Sequence, residues 1–137
     1  MERRKLCVIG DPVEHSKSPL MQNAMIGVLG IPYEYGKVKV SRGETAAWLK
    51  RAKAEGYAGF NATMPHKVDL IPLMDELGED AKTFGAVNTV CIHSDGTTAG
   101  YNTDGRGFLR AIEDLGVFPE GLEACLLGAG GAAKAVA

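Results

Sequence analysis

The segment YAGFNATMPHK, residues 57–67, places polar side chains at the end of an apolar run. Alternation along a strand sends Asn61 and Thr63 to the same face. Pro65 ends the run, and Lys67 follows in the first turn of a predicted helix, where a cation is unfavourable beside the helix dipole. Polar groups at the carboxyl end of a strand lie where α/β sheets bind ligands. The segment therefore predicts a ligand site, although Lys67 taken alone also fits a solvated surface residue.

Strands alternate with helices on both sides of this segment. Apolar patterns and turn residues predict strands over residues 5–9, 33–40, 57–63, 87–93, 97–101 and 124–127, and helices over residues 19–29, 44–55, 67–77 and 104–115. The helix over residues 67–77 is expected to be interrupted near Pro72, where it kinks or restarts. The turn Ser94-Asp95-Gly96 predicts a hairpin. The predicted fold class is α/β, with a mainly parallel sheet flanked by helices.

Composition excludes several classes of function. The chain has 137 residues and a net charge of −2, so it lacks the basic surface that binds nucleic acid or an anionic membrane. The apolar runs are too short to span a bilayer. The cysteines are few and far apart, which predicts no disulfide framework and no metal site. We expect a cytoplasmic protein whose cysteines are reduced and buried.

Three further polar clusters flank predicted elements. Ser16 and Ser18 precede a helix, where two hydroxyl groups can donate to an anion, although Ser18 also fits a simple N-cap. Asn88 enters an apolar strand, so it either satisfies a turn or faces a ligand. Thr103 and Asp104 open the last long helix and fit a cap equally well.

A glycine-rich turn follows the last predicted strand. Gly128-Ala129-Gly130-Gly131-Ala132, with Ala133 in the third position of the motif, fits the dinucleotide fingerprint. The linker over residues 117–121 indicates a boundary between a first domain, residues 1–116, and residues 117–137. The latter are expected to form the first strand and helix of a Rossmann domain.

These pieces, in this order, resemble the shikimate dehydrogenase family. The matching motifs are Ser16-Lys17-Ser18-Pro19, Asn61-Ala62-Thr63-Met64-Pro65-His66-Lys67, Gly85-Ala86-Val87-Asn88-Thr89, Asn102-Thr103-Asp104-Gly105 and Gly128-Ala129-Gly130-Gly131-Ala132. The resemblance implies NADP-linked interconversion of 3-dehydroshikimate and shikimate, a step of aromatic amino-acid biosynthesis.

The resemblance also implies residue roles. Ser16 and Ser18 would bind the substrate carboxylate, and the substrate hydroxyls would be held by Asn61, Thr63, Asn88 and Asp104. Lys67 and Asp104 would form the catalytic pair, and residues 128–132 would bind NADP. An ammonium beside a carboxylate suits delivery of a proton to a developing alkoxide.

Two alternatives stay open at this point. A quinate or dual quinate/shikimate dehydrogenase would differ around Ser16 and Ser18, and two serines favour shikimate. A non-catalytic module that binds shikimate-type ligands would keep the cleft alone. Residues 117–137 cannot complete a nucleotide site, so we expect this chain by itself to lack dehydrogenase activity. We also expect its tail to pair with a second chain, as a homodimer or by strand exchange.

Overall fold

A six-stranded mixed sheet forms the centre of the computed structural model, which describes residues 3–137. Its strands are β1 (Arg4–Gly10), β2 (Tyr33–Lys39), β3 (Tyr57–Ala62), β4 (Glu76–Leu77), β5 (Thr89–Ile92) and β6 (Thr98–Tyr101), in the spatial order β2-β1-β3-β5-β6-β4. Parallel pairing joins β2 to β1, β1 to β3 and β6 to β4, whereas β5 is antiparallel to both of its neighbours. The predicted mainly parallel sheet with a hairpin is confirmed.

Within residues 3–137, five helices pack around the sheet. They are α1 (Ser18–Leu29), α2 (Thr45–Ala54), α3 (Glu79–Phe84), α4 (Asp104–Asp114) and α5 (Gly131–Val136), together with a 3-10 turn at Ile71–Leu73. The residue that follows α1 explains why the helix ends where it does. Gly30 adopts a φ of 63°, a left-handed conformation that glycine tolerates best, and its N–H bonds back to Gly27. None of the helices among the described residues has the length and apolar character needed to cross a membrane.

The main core lies on the face of the sheet that α2 covers. Cys7, Ile9 and Phe60 from the strands pack there with Trp48 and Leu49 of α2. The Trp48 ring meets the Phe60 ring edge-on at 5.9 Å between centroids, a favourable aromatic geometry. Burying each such large apolar side chain stabilises the fold by roughly 1.5–3 kcal/mol. On the opposite face a smaller cluster joins Val8, Val13 and Tyr35, against which Ile26 of α1 packs.

The predicted helix over residues 67–77 is wrong. Residues 64–70 form successive turns, followed by the 3-10 turn and the two-residue strand β4. Pro72 has no N–H to donate and its ring crowds the preceding turn, so an α-helix cannot pass through it. Lys67 therefore does not lie in the first turn of an α-helix, and the expectation that a helix dipole acts on its charge is wrong.

Three smaller expectations also need correction. Residues 124–127 form no strand, because no other strand lies beside them to complete the backbone hydrogen bonds. Ser18 is the first residue of α1 rather than its N-cap; that position belongs to Lys17. Among the cysteines, Cys7 is buried, which raises its pKa to about 12, but Cys125 is exposed.

Candidate functional site

The carboxyl ends of β1 and β3 and the start of α4 meet at one edge of the sheet. There the Lys67 Nζ lies 2.6 Å from the Asp104 Oδ2, although the two residues are 37 positions apart in the chain. The two side chains are 17% and 28% exposed, so both groups reach solvent while being shielded from most of it. The fold therefore brings the predicted catalytic pair into direct contact.

Asp104 is held on three sides. The Asn88 Nδ2 donates to its Oδ1 at 2.8 Å, while Lys67 occupies the other carboxylate oxygen. Its backbone N–H donates to the Asn102 Oδ1 at 2.9 Å, and Asn102, itself buried, donates to the carbonyl of Ala86. These bonds fix where α4 begins and in which direction the carboxylate points.

The Asn88 side chain uses all of its hydrogen-bonding capacity within the protein. Its Nδ2 donates to Asp104 and to the Thr103 Oγ1 at 2.9 Å. Its Oδ1 accepts from the Thr103 N–H at 3.1 Å and from the Thr89 hydroxyl at 2.8 Å. A primary amide offers two donors and two lone pairs, so a ligand contact at Asn88 requires one of these bonds to be exchanged.

Asn61 makes a similar set of contacts at the end of β3. Its Nδ2 donates to the Asn88 carbonyl at 3.2 Å and to the Thr89 Oγ1 at 3.0 Å. The Tyr35 hydroxyl donates to its Oδ1 at 2.7 Å. Tyr35 lies on β2 and is buried, which raises the pKa of its phenol and keeps the hydroxyl protonated. Asn61 is therefore joined to Asn88, and through it to Asp104 and Lys67.

The serine motif lies beside Thr63. A cavity of about 280 Å³ is lined by Ser16, Ser18 and Thr63. The Ser18 N–H donates to the Ser16 Oγ at 3.3 Å, which orders the loop before α1. Thr63 reaches this position because Gly10 has no side chain: a Cβ there would lie 2.5 Å from the Thr63 Cγ2.

A second cavity, of about 380 Å³, opens on the other side of Thr63. Lys67 and Arg42 line it, and so do residues 130–132 of the glycine-rich turn. Side chains at Gly128 and Gly130 would meet open space, so the backbone of the turn is accessible, and Gly128 has a φ of 123°. An accessible backbone next to cationic side chains fits the pyrophosphate of a dinucleotide. The predicted cofactor residues thus face the predicted catalytic lysine.

Four residues with a part in this arrangement were missed by sequence analysis. They are Tyr35, Arg42, Thr89 and Asn102. Tyr35 looks like any strand residue, and Arg42 lies in an exposed loop, so neither carries a sequence signal. Thr89 and Asn102 do lie inside the matching motifs, and their neighbours Asn88 and Thr103 were singled out in their place.

The arrangement as a whole favours proton transfer beside a bound polar ligand. The Lys67 ammonium can donate to an oxygen that gains negative charge, and Asp104 orients it. Hydroxyl and amide groups with fixed positions surround this pair on the side of β1 and β3.

Comparisons with known proteins agree on one family. The family model described as the shikimate dehydrogenase substrate binding domain matches residues 8–90. The chain is 49% identical over 130 residues to the shikimate dehydrogenase (NADP(+)) of Rubrobacter xylanophilus, covering 95% of this chain and 46% of that protein. The chain thus spans about half the length of the curated relatives it matches.

Solved structures that are similar to the chain include a shikimate dehydrogenase and a reductase that is named for another substrate. Shikimate 5-dehydrogenase from Thermus thermophilus, in complex with NADP(H) and shikimate, is similar with a TM-score of 0.89 and 35% identity over 97% of this chain and 50% of that one. The ligand-free 5-ketofructose reductase of a Gluconobacter strain is similar with a TM-score of 0.86 and 34% identity, over 99% of this chain and 48% of that one.

Proposed function

This chain belongs to the shikimate dehydrogenase family, and from that premise we propose that it forms the substrate-binding part of an NADP-linked shikimate dehydrogenase. Residues 1–116 are the substrate-binding domain, and residues 117–137 begin the dinucleotide-binding domain. The single observation that carries the proposal is the 2.6 Å contact between the Lys67 Nζ and the Asp104 Oδ2, beside the ends of β1 and β3. The reaction is the reduction of 3-dehydroshikimate to shikimate, a cytoplasmic step towards aromatic amino acids.

The substrate is held at both ends. Ser16 and Ser18 donate to its carboxylate in the cavity that they share with Thr63. Asn61 and Thr63 contact ring hydroxyls, and Asp104 accepts from the hydroxyl nearest to Lys67. Asn88 keeps the Asp104 carboxylate aligned and gives up one of its own bonds where it contacts the ligand.

The proton is transferred by Lys67. Residues 128–132 would hold part of NADPH, which would supply a hydride to the ketone carbon. As negative charge develops on the ketone oxygen, the Lys67 ammonium donates a proton to it, which leaves a hydroxyl on the product and a neutral amine on the lysine. Asp104 holds the Lys67 side chain in place through their 2.6 Å contact, and a proton from solvent restores the ammonium after the reaction.

Binding of shikimate to this chain tests the proposal. Calorimetric titration should detect weak binding, and the double variant Ser16→Ala/Ser18→Ala should weaken it by at least about tenfold, because hydrogen bonds to a charged group are worth ~1.5–3 kcal/mol each. The control variant Ser41→Ala/Ser94→Ala removes two exposed hydroxyls outside the site and should leave the affinity unchanged. Equal affinity in both double variants would remove the serines from the site.

A parallel titration with quinate distinguishes a shikimate dehydrogenase from a quinate-using enzyme. Quinate carries an additional hydroxyl on the carbon that bears the carboxylate, so it must fit between Ser16 and Ser18. We expect shikimate to bind more tightly than quinate. Tighter binding of quinate would instead assign the chain to a quinate-using enzyme. A pure ligand-binding module would bind shikimate but gain no activity when a complete nucleotide domain is attached.

A further inference from the structure

The side-chain amide of Asn61 has protein partners on both its nitrogen and its oxygen. The Asn88 carbonyl lies 3.2 Å and the Thr89 Oγ1 lies 3.0 Å from its nitrogen, and the Tyr35 hydroxyl lies 2.7 Å from its oxygen. Tyr35 and Asn61 belong to different strands, with β1 between them. The tyrosine therefore reaches across a whole strand to touch this amide.

The hydrogen-bond partners of the Asn61 amide determine which of its two terminal atoms is the nitrogen and which is the oxygen. A backbone carbonyl only accepts hydrogen bonds, so the atom facing Asn88 must be the Asn61 nitrogen. The oxygen then faces Tyr35, whose protonated hydroxyl donates to it. A flipped amide would place the Asn61 oxygen against the Asn88 carbonyl oxygen, two acceptors with no hydrogen between them, and would lose that bond.

An inventory of the amide shows what remains for a ligand. Both hydrogens on the Asn61 nitrogen are used by Asn88 and Thr89. The oxygen has two lone pairs, of which Tyr35 takes one. The only capacity left is one lone pair, so a ligand group at Asn61 has to be a hydrogen-bond donor.

We propose that Tyr35 is a positioning residue that fixes the Asn61 amide so that it accepts a hydrogen bond from a ring hydroxyl of the ligand and rejects a group that cannot donate. This inference rests on the proposed function, since it takes shikimate as the ligand. Under this proposal, Tyr35 determines which ligand group can bind at Asn61, although Tyr35 itself does not contact the ligand.

Tyr35 is itself held in one place. Its backbone lies on the edge strand β2, where the Asn23 side chain of α1 donates to its carbonyl at 2.8 Å and accepts from its N–H at 2.9 Å. Its ring is 6% exposed and packs in the same cluster as Val8 and Val13. A ring fixed by packing and by backbone contacts delivers its hydroxyl to one point only.

The first test compares Tyr35→Phe with Tyr33→Phe in the nitrogen-15-labelled chain. Each variant loses one hydroxyl and keeps its ring. Tyr33 lies two residues earlier on the same face of β2, and its hydroxyl accepts a hydrogen bond from the exposed Arg4. Nuclear magnetic resonance should show the Asn61 side-chain NH₂ resonances shifting in Tyr35→Phe and unchanged in Tyr33→Phe. Unchanged resonances in Tyr35→Phe overturn the proposal that Tyr35 orients the amide.

The second test is a mutant cycle with Asn61→Ala, read by shikimate titration. Tyr35→Phe should raise the dissociation constant of the otherwise wild-type chain by roughly three- to tenfold, the effect of one hydrogen bond. In the Asn61→Ala background the same change should have no effect, because Tyr35 acts through Asn61. Equal losses in both backgrounds would mean that Tyr35 serves the fold in general, and would overturn the proposal.

The third test concerns the donor requirement. Analogues of shikimate in which one ring hydroxyl at a time is replaced by fluorine remove a donor with little change in size. One of them should bind the wild-type chain several-fold more weakly, and this loss should disappear in Asn61→Ala. A loss that persists in Asn61→Ala for every analogue contradicts the acceptor role. If neither the wild-type chain nor Tyr33→Phe binds shikimate, the proposed function fails, and the selection of a ligand group by Asn61 fails with it. The resonances of the Asn61 side chain need no ligand, so they still test whether Tyr35 orients the amide.

Discussion

Asn88 and Lys67 have different roles at this site, and their hydrogen bonds show the difference. Asn88 uses both donors and both lone pairs within the protein, so it acts first as the support of Asp104. Lys67 makes one ion pair, through a single carboxylate oxygen, and keeps further N–H donors for a ligand. The residue with spare capacity is the one expected to react, and the saturated residue is expected to align it.

Replacing Lys67 should separate binding from catalysis. We consider a chimera in which this chain replaces the matching part of the Rubrobacter xylanophilus relative, to which it is 49% identical. Lys67→Ala in that chimera should lower kcat by about 10²–10⁴-fold, the range of general acid catalysis, with a much smaller rise in KM. The matched control is Lys50→Ala, which removes an exposed lysine of α2. A kcat within a few-fold of the parent chimera would make Lys67 an ordinary surface residue.

At the scale of elements, the contact between α4 and α5 depends on one glycine. A Cβ at Gly105 would lie 2.5 Å from the Ala135 carbonyl oxygen and 3.1 Å from the Phe84 ring. Ala135 is buried by this approach, although its helix has only six residues. The glycine-rich turn is therefore held beside Lys67 by backbone packing of α5.

Gly105→Ala should move α5 away from α4. Hydrogen exchange of the α5 amides should become faster, because an added methyl group cannot fit against the Ala135 carbonyl. Gly107→Ala, two residues later in the same helix, meets open space and should stabilise the protein by about 0.5–1 kcal/mol through helix propensity. Slow exchange of α5 in Gly105→Ala would contradict the packing described for this pair of helices.

The position of the edge strand β4 is fixed by hydrogen bonds to the Asp75 carboxylate, which lies just before it. The Thr98 N–H and hydroxyl both donate to the Asp75 Oδ2 at 2.8 Å, and these bonds lower the pKa of Asp75. Because the folded pKa is depressed, the stabilisation is present above the ordinary aspartate pKa of ~3.9 and is lost as the pH falls through the folded value. The protection factors of the β4 amides, which are corrected for the intrinsic pH dependence of exchange, should therefore fall below about pH 4, and Asp75→Asn should abolish that fall. The same fall in Asp75→Asn would assign it to another group.

At the scale of the whole molecule, the sequence was sufficient for the long elements and insufficient for the short ones. Helix α4 follows apolar periodicity and α1 ends at Gly30, whereas β4 has two residues and α3 has six, too few for any period to be seen. The contact between Tyr35 and Asn61 spans 26 positions and arises only from the strand order. Pairing at such distance is a property of the folded sheet, and no local pattern encodes it.

The cavities of the molecule lie in several places. The two that contain the predicted residues share Thr63 in their lining and have volumes of about 280 and 380 Å³. A larger open cavity, of about 1090 Å³, lies at the amino ends of β1 and β2 and is lined by residues such as Lys5, Pro32 and Tyr33. We place the ligand at Thr63, because an ion pair and oriented amides converge there.

Mapping shikimate onto the chain tests this central claim most directly. In a titration followed by nitrogen-15 nuclear magnetic resonance, backbone amides around the site should shift together and saturate with one dissociation constant. The residues expected to respond are Ser16, Ser18, Asn61, Thr63, Lys67, Asn88 and Asp104. Shifts centred instead on Lys5, Tyr33 and neighbouring residues at the opposite end of the sheet would contradict the account, as would no saturable shift anywhere in the chain.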